Sequence, residues 1–193
     1  LRFGSQYITE KALESFVQSQ EQALKRFLTN AGYTPLLSTI RGNLFEAYAH
    51  RQLTSGGQFQ IRSLDGKESE SVLKLETRKS KRFKNISECK DSNRYYIPWN
   101  PNYPCIDSYI PNTGHFQMKV SMDHPVQKDK MTEIVKASGM DRLYFVVPHT
   151  IYRDFPLQTL AEKTDSENPP KKKRKTSTGR KTLDQFSLCI NLE

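Results

Sequence analysis

The stretch PCIDSYIPNTGHFQMKVSMDH, Pro104 to His124, carries one acid, Asp107, followed after nine residues by Gln117-Met118-Lys119. Between them Asn112-Thr113-Gly114 is a turn signal, so CIDSYIP and HFQMKVSM read as the two strands of a hairpin. Side chains alternate across a strand, which puts Gln117 and Lys119 on one face and turns Met118 and Val120 toward the core. The turn brings Asp107 back beside them. One face then offers a carboxylate, an amide oxygen and an ammonium. A carboxylate is a hard oxygen ligand of the kind Mg²⁺ takes together with water and phosphate oxygens. The ammonium can orient an attacking water or neutralise charge building on a phosphate. Plainer readings stand beside these: an Asp near a turn caps it, and a Lys between apolar neighbours marks the solvent side of an edge strand.

Several elements must hold this hairpin. SQYITEKALESFVQSQEQALKRFLTNAG has apolar residues at helical spacing and a stop at Gly32. A second helix runs from about Pro35 to Leu53 and closes at Gly56-Gly57. QFQIRSL and ESVLKLET alternate like strands, RKSKRFKNI and NRYYIPW follow, and WNPNYP makes an irregular approach to the hairpin. VQKDKMTEIVKASG is an amphipathic helix with Met131, Ile134 and Val135 inward and Gly139 as its stop. RLYFVVP is continuously apolar, the pattern of a strand buried on both faces. Residues from about 161 to 182 are polar, basic and Pro-containing, as in a disordered segment, and QFSLCINL alternates like one more strand of the core. The division expected is a helical lead-in over 1–33, a core over 34–160, the basic segment over 161–182 and a final strand within 183–193. The fold class expected is α/β, a mixed sheet flanked by helices.

Composition bounds the function. The chain has 193 residues, room for one ordinary domain, and a mean hydropathy of −0.73. No apolar run approaches the roughly 20 residues of a membrane span, so no membrane partner is expected. No leader of the signal-peptide type opens the chain, and its start at Leu1 reads as an excerpt of a longer protein. Cys89, Cys105 and Cys189 show no metal-binding spacing and read as free thiols. The net charge of +9 falls to +2 without the seven positive charges of PPKKKRKTSTGRKT, so the basic excess is one tract and not a basic fold. Cys105 shares a strand face with Asp107, whose charge would raise the thiol pKa, so a cysteine hydrolase is disfavoured.

Asp, a hairpin and Gln-x-Lys together resemble the PD-(D/E)XK restriction-endonuclease-like superfamily in its D…QxK variant. RGNLFE…GGQF, IPWNPNYPCIDSYIP, HFQMKVSMDHP and RLYFVVP are similar to the C-terminal nuclease domains of Crinkler and RHS-type effector proteins. The resemblance runs from about Ser38 to Pro148, and QFSLCINL would be its last strand. It implies a restriction-endonuclease-like sheet and a nuclease cleaving double-stranded DNA in the nucleus of a host cell. Mg²⁺, or Mn²⁺, would be held by Glu46 on the second helix, Asp107 and the backbone carbonyl of Met118. Gln117 would position metal or water, and Lys119 would stabilise the attacking hydroxide or the transition state. Relatives of this kind often carry an NTPase domain upstream.

Arg41 and His124 are candidate phosphate contacts, although His124 can equally open the next helix. On a strand, Arg78, Arg82 and Lys84 share one face that could grip a DNA backbone or solubilise an edge. Tyr95, Tyr96 and Trp99 can stack on bases or pack the core. Pro170, Lys171, Lys172, Lys173, Arg174 and Lys175 match a nuclear-import signal for an import receptor, in a setting without acids. The alternative to an enzyme is a non-catalytic nuclear module that binds DNA or protein on the same fold.

Overall fold

The computed structural model describes residues 8, 11, 12, 15, 22–29, 35–66, 70–122, 125–161 and 183–192. Helical residues 22–29 (α1) precede α2 (Pro35–Ser55). On α2 the buried apolar side chains are Phe45, Tyr48, Ala49 and Leu53, spaced three and four apart and so aligned in one stripe. Glu46 and His50 sit one position further round, at the margin of that stripe. Leu24 and Leu28 of α1 join the same core. The two helices are tied by Arg41, whose Nε donates to the Leu28 carbonyl at 2.6 Å. Carbonyls near a helix end lack intrahelical donors, and Arg41 supplies one.

Eight strands form one mixed sheet: β1 (Gly57–Ser63), β2 (Glu70–Leu75), β3 (Lys79–Phe83), β4 (Arg94–Pro98), β5 (Ser108–Ile110), β6 (Gly114–Met118), β8 (Arg142–Pro148) and β10 (Asp184–Ile190). Their spatial order is β2-β1-β10-β8-β6-β5-β4-β3. β7 (Val126–Gln127) and β9 (Leu160–Ala161) pair separately in parallel. The expected α/β architecture is therefore present, with helices packed on both faces of a mixed sheet. Phe116, Met118, Tyr144, Val146 and Leu188 face α2. Leu143, Phe145 and Val147 face the opposite way, with Met131 and Ile134 of α3 (Lys128–Ser138) and Tyr152 of α4 (His149–Tyr152). This double burial explains why the strand stays apolar from Leu143 onward, after the exposed Arg142.

The β5–β6 hairpin has the expected register, with Tyr109 opposite His115 and Ile110 opposite Gly114. Gly114 has φ +149° and packs against β8 so tightly that a Cβ would lie 2.8 Å from the Tyr144 ring. Only glycine meets both demands. α3 then carries the chain to β8, which runs parallel to β6. Gly139 closes α3 with φ +73° and donates to the Val135 carbonyl at 2.9 Å, as its sequence position implies. The sequence QFSLCINL forms β10, seated between β1 and β8. β7, β9 and α4 were not anticipated, because elements of two to four residues carry no readable periodicity.

His115 is completely buried beneath α3. Its ring stacks on Tyr109, with Nδ1 3.1 Å from the Arg142 carbonyl and Nε2 3.0 Å from the Ser138 hydroxyl. Burial lowers its pKa from the ordinary 6.5 to about 4, against the opposing pull of the Arg142 carbonyl and Asp141. The unfolded chain therefore binds this proton more readily. The stabilising contribution is full above pH 6.5 and is lost as pH falls through 4. His115→Gln should flatten the acid limb of the stability profile by roughly 3 kcal/mol between pH 7 and pH 4. Urea unfolding at both pH values measures this. Equal acid losses in the variant and the wild type would refute it.

Candidate functional site

Asp107 stands at the entry to β5, and the chain reaches it through a strained turn. Cys105 has φ +66°, and the Ile106 N–H donates to the Pro104 carbonyl at 2.9 Å, the bond of a γ-turn with positive φ. A non-glycine residue in this region has a cost, and such strain gathers where a side chain must be aimed. Beyond the turn, the Asp107 N–H donates to Phe116 O at 2.9 Å, just outside the regular pairing of β5 with β6. The Met118 N–H then donates to Asp107 Oδ2 at 2.7 Å. The carboxylate thus replaces a backbone carbonyl and extends the hairpin by one step. Asp107 is fixed opposite Gln117, as the hairpin reading requires.

Lys119 follows β6, and its N–H continues the pairing to β8 by donating to Val146 O at 2.9 Å. It is not on an edge strand, since β6 lies between β5 and β8. Met118 and Val120 pack into the α2-side core, as alternation predicts. Glu46 reaches the same place from α2. Its negative charge raises the Asp107 pKa and also opposes the fall in the Lys119 pKa. Burial is the larger cause in both cases. It brings the Asp107 carboxyl up to about 6, against the Met118 N–H, Lys119 and His50, and it lowers the Lys119 ammonium against Asp107, Glu46 and Cys105. Two carboxylates and an ammonium therefore share one partly desolvated corner.

Gln117 is 6 % exposed, and its Oε1 is buried without a hydrogen-bond partner among the described residues. A buried carbonyl oxygen left unpaired carries a desolvation penalty that a ligand or cation can relieve. Among the described residues no group of three or more His, Cys, Asp and Glu side chains is arranged to hold a metal ion. The expected ligands are instead two carboxylates, Glu46 and Asp107, with the backbone carbonyl of Met118, and Gln117 is expected to position metal or water. Carboxylate and carbonyl oxygens are hard donors, which suit Mg²⁺ better than a soft metal.

A polar chain that the sequence reading missed runs behind these residues. His50 Nδ1 lies 2.8 Å from the Tyr95 hydroxyl, which lies 2.7 Å from the Ser108 hydroxyl, next in sequence to Asp107. His50 Nε2 faces Glu46 Oε1 at 3.7 Å. Burial raises the Tyr95 pKa, so its phenol is held as a neutral hydrogen-bonding group. The spacing of four between Glu46 and His50 was the one legible hint.

The candidate DNA contacts fare differently. Arg41 is committed to the Leu28 carbonyl and is a helix tie. Arg78 and Lys84 lie outside β3, so the basic face expected on that strand does not form as a continuous row. Arg78 donates to the Ser92 and Glu76 carbonyls at 3.0 Å, and Arg82 donates to Pro98 O at 3.1 Å. Lys84 is exposed. Tyr95 and Tyr96 are core residues, whereas Trp99 is 61 % exposed. His124 and the basic tract Pro170 to Lys175 lie outside the described residues.

The raised Asp107 pKa has a thermodynamic consequence. Its proton is bound more tightly in the folded protein than in the unfolded chain. That contribution is present below the ordinary value of 3.8 and is lost as pH rises through about 6. In metal-free buffer Asp107→Asn keeps an acceptor for Met118 and removes the buried charge. It should stabilise the fold by roughly 1–3 kcal/mol at pH 8, a range trimmed for partial solvent access, and by little below pH 4. Guanidinium unfolding in EDTA tests this, and a destabilised variant at pH 8 would contradict it.

No protein-family model matches the chain, and no solved structure matches it. Two curated proteins do. Crinkler effector protein 16 and Crinkler effector protein 15 of Phytophthora infestans are each 26% identical to it over 165 residues. Each match covers 79% of this chain and 27% of the relative, so the chain spans about a quarter of the length of these proteins. In sequence, then, most of the chain is similar to about a quarter of two Crinkler effector proteins.

Proposed function

We propose that this chain is a metal-dependent DNA endonuclease domain of a Crinkler-type effector, with a restriction-endonuclease-like core, acting in the nucleus of a host cell. The observation that carries the reading is the convergence of Glu46, Asp107 and Lys119 at the start of β5 and the end of β6, with the Gln117 amide oxygen left unpaired. Two acids brought together in a partly buried corner repel each other, which a bound cation would offset together with Lys119. Glu46, Asp107, Gln117 Oε1 and the Met118 carbonyl would hold Mg²⁺ or Mn²⁺, which when bound supplies Lewis-acid stabilisation of charge on phosphate oxygens. The Lys119 ammonium, fixed by its backbone bond to β8, orients the attacking water and offsets charge on the phosphate. The backbone bonds of Asp107 hold its carboxylate in place before the substrate arrives. The exposed Lys84, and the basic tract, would add salt-sensitive attraction to the DNA backbone. A second reading, a non-catalytic DNA- or protein-binding module, draws on the neutral Gln117 where a further acid would add a charge.

Incubation with supercoiled plasmid decides between them. With Mg²⁺ or Mn²⁺ the wild type should nick and linearise the plasmid. Asp107→Ala and Lys119→Ala should each lose about 10²-fold or more, the scale of a positioned catalytic group, and EDTA should abolish cleavage. Alanine variants as active as the wild type would sink this site. An inert wild type whose variants shift DNA equally well would favour the binding module.

The import reading is tested separately. A large fluorescent fusion should accumulate in the nuclei of transfected eukaryotic cells and spread to the cytoplasm when Lys171, Lys172, Lys173 and Arg174 become alanine. Unchanged nuclear accumulation would remove the tract from the account.

A further inference from the structure

Glu46 and Asp107 stand on different elements, α2 and the entry to β5, and their like charges repel. Something in the chain must set their separation before a cation does. On its own helix the Glu46 carboxylate faces His50, one turn along. His50 Nε2 is buried and makes no hydrogen bond, because 3.7 Å to Glu46 Oε1 is too long for one. A buried ring N–H without an acceptor is costly, and Glu46 is the acceptor in reach. Apo contacts of this kind commonly tighten when a ligand binds. From the other ring nitrogen the path continues through the Tyr95 hydroxyl to the Ser108 hydroxyl, at 2.8 and 2.7 Å. Ser108 adjoins Asp107 and is completely buried, as is Tyr95.

The donors and acceptors of this path can run in either direction, and the Glu46 carboxylate beyond Nε2 favours one. A phenol has one proton and a neutral imidazole has one N–H. If the Ser108 O–H donates to Tyr95 O and the Tyr95 O–H donates to His50 Nδ1, the remaining proton sits on Nε2 and points at Glu46. Every hydrogen bond then runs toward the carboxylate, and no buried group is left without a role. The ring is held edge-on by Tyr95, with centroids 5.7 Å apart and planes at 82°.

The geometry points to His50 as a positioning residue: a hydrogen-bonded strut of His50, Tyr95 and Ser108 fixes the Glu46 carboxylate against Asp107 and so presets the spacing of the cation-binding acids. This rests on the nuclease reading only in naming the cation. The strut itself is a property of the metal-free fold.

The test has two arms. In metal-free, ¹⁵N-labelled protein at pH 8, long-range imidazole spectra should show the His50 Nε2–H tautomer, and both Glu46→Ala and Tyr95→Phe should shift it to a mixture. In the second arm, calorimetry measures Mn²⁺ binding without DNA. His50→Gln places an amide N–H where Nε2 was and should keep the affinity within about threefold. His50→Asn reaches only the Nδ1 position and should weaken it about tenfold or more, the scale of lost outer-shell orientation. Unchanged thermal melting of both variants would separate positioning from folding. An Nδ1–H tautomer in the wild type, or equal Mn²⁺ affinities for Asn and Gln, would overturn the strut. A wild type that binds no Mn²⁺ would instead defeat the nuclease reading, and the tautomer of His50 alone would then decide the strut.

Discussion

The candidate site depends on one hydrogen bond, from the Met118 N–H to the Asp107 carboxylate at 2.7 Å. β5 is only three residues long and pairs with β4 through a single register position, Tyr96 opposite Tyr109. So short a strand cannot fix the chain before it by ladder bonds alone. The carboxylate takes the place of the next carbonyl and holds the entry to β5 against β6. Hydrogen bonds to a charged acceptor are stronger than neutral ones, and this one opposes the burial that raises the Asp107 pKa. One interaction therefore closes the hairpin, keeps the acid partly ionisable and aims its second oxygen.

The rest of the sheet makes that aim rigid. β6 is flanked by β5 and β8, and all of its residues are buried. β8 is in turn held by β10, which brings residues near the end of the chain into the centre of the sheet. Both faces are covered, so Lys119 can shift little without displacing Met118 or the bond to Val146. A site assembled on such strands has little reorganisation to complete when charge develops. The strained Cys105 turn belongs to the same economy: the stiff sheet over-determines a conformation that a free chain would leave.

Much of this was legible in the residues. The Asn-Thr-Gly turn and the alternation of HFQMKV fixed which side chains meet, because strand periodicity leaves only two faces to choose between. RLYFVVP declared a strand buried on both sides. Other features were not legible. Arg41 and Arg78 read as cations available to phosphate, but each donates to backbone carbonyls. Charge alone does not distinguish a free guanidinium from one that caps a helix or braces a loop, since such partners are main-chain atoms invisible to residue type. The polar chain behind Glu46 joins residues 45 positions apart, His50 and Tyr95, across two elements. Only the local step from Glu46 to His50 left a trace in the spacing.

Gln117 is where the electrostatics of the site are most economical. One neighbouring carboxylate and burial already bring the Asp107 carboxyl up to about 6. A third acid in place of Gln117 would add another like charge to the same corner and push that pKa further up, toward a protonated Asp107 at neutral pH. A protonated carboxyl competes poorly for a divalent cation, because the proton must leave first. The neutral amide offers an oxygen without that repulsion. It leaves Lys119 to balance two negative charges, not three, and it keeps the corner closer to neutrality when no cation is bound. The cost is weaker attraction for the cation, since charged ligands hold Mg²⁺ more strongly than neutral ones. If the corner holds a cation as proposed, Gln117 balances holding that cation against remaining folded without it, and Gln117→Glu would tilt the balance toward the cation at the expense of the metal-free protein.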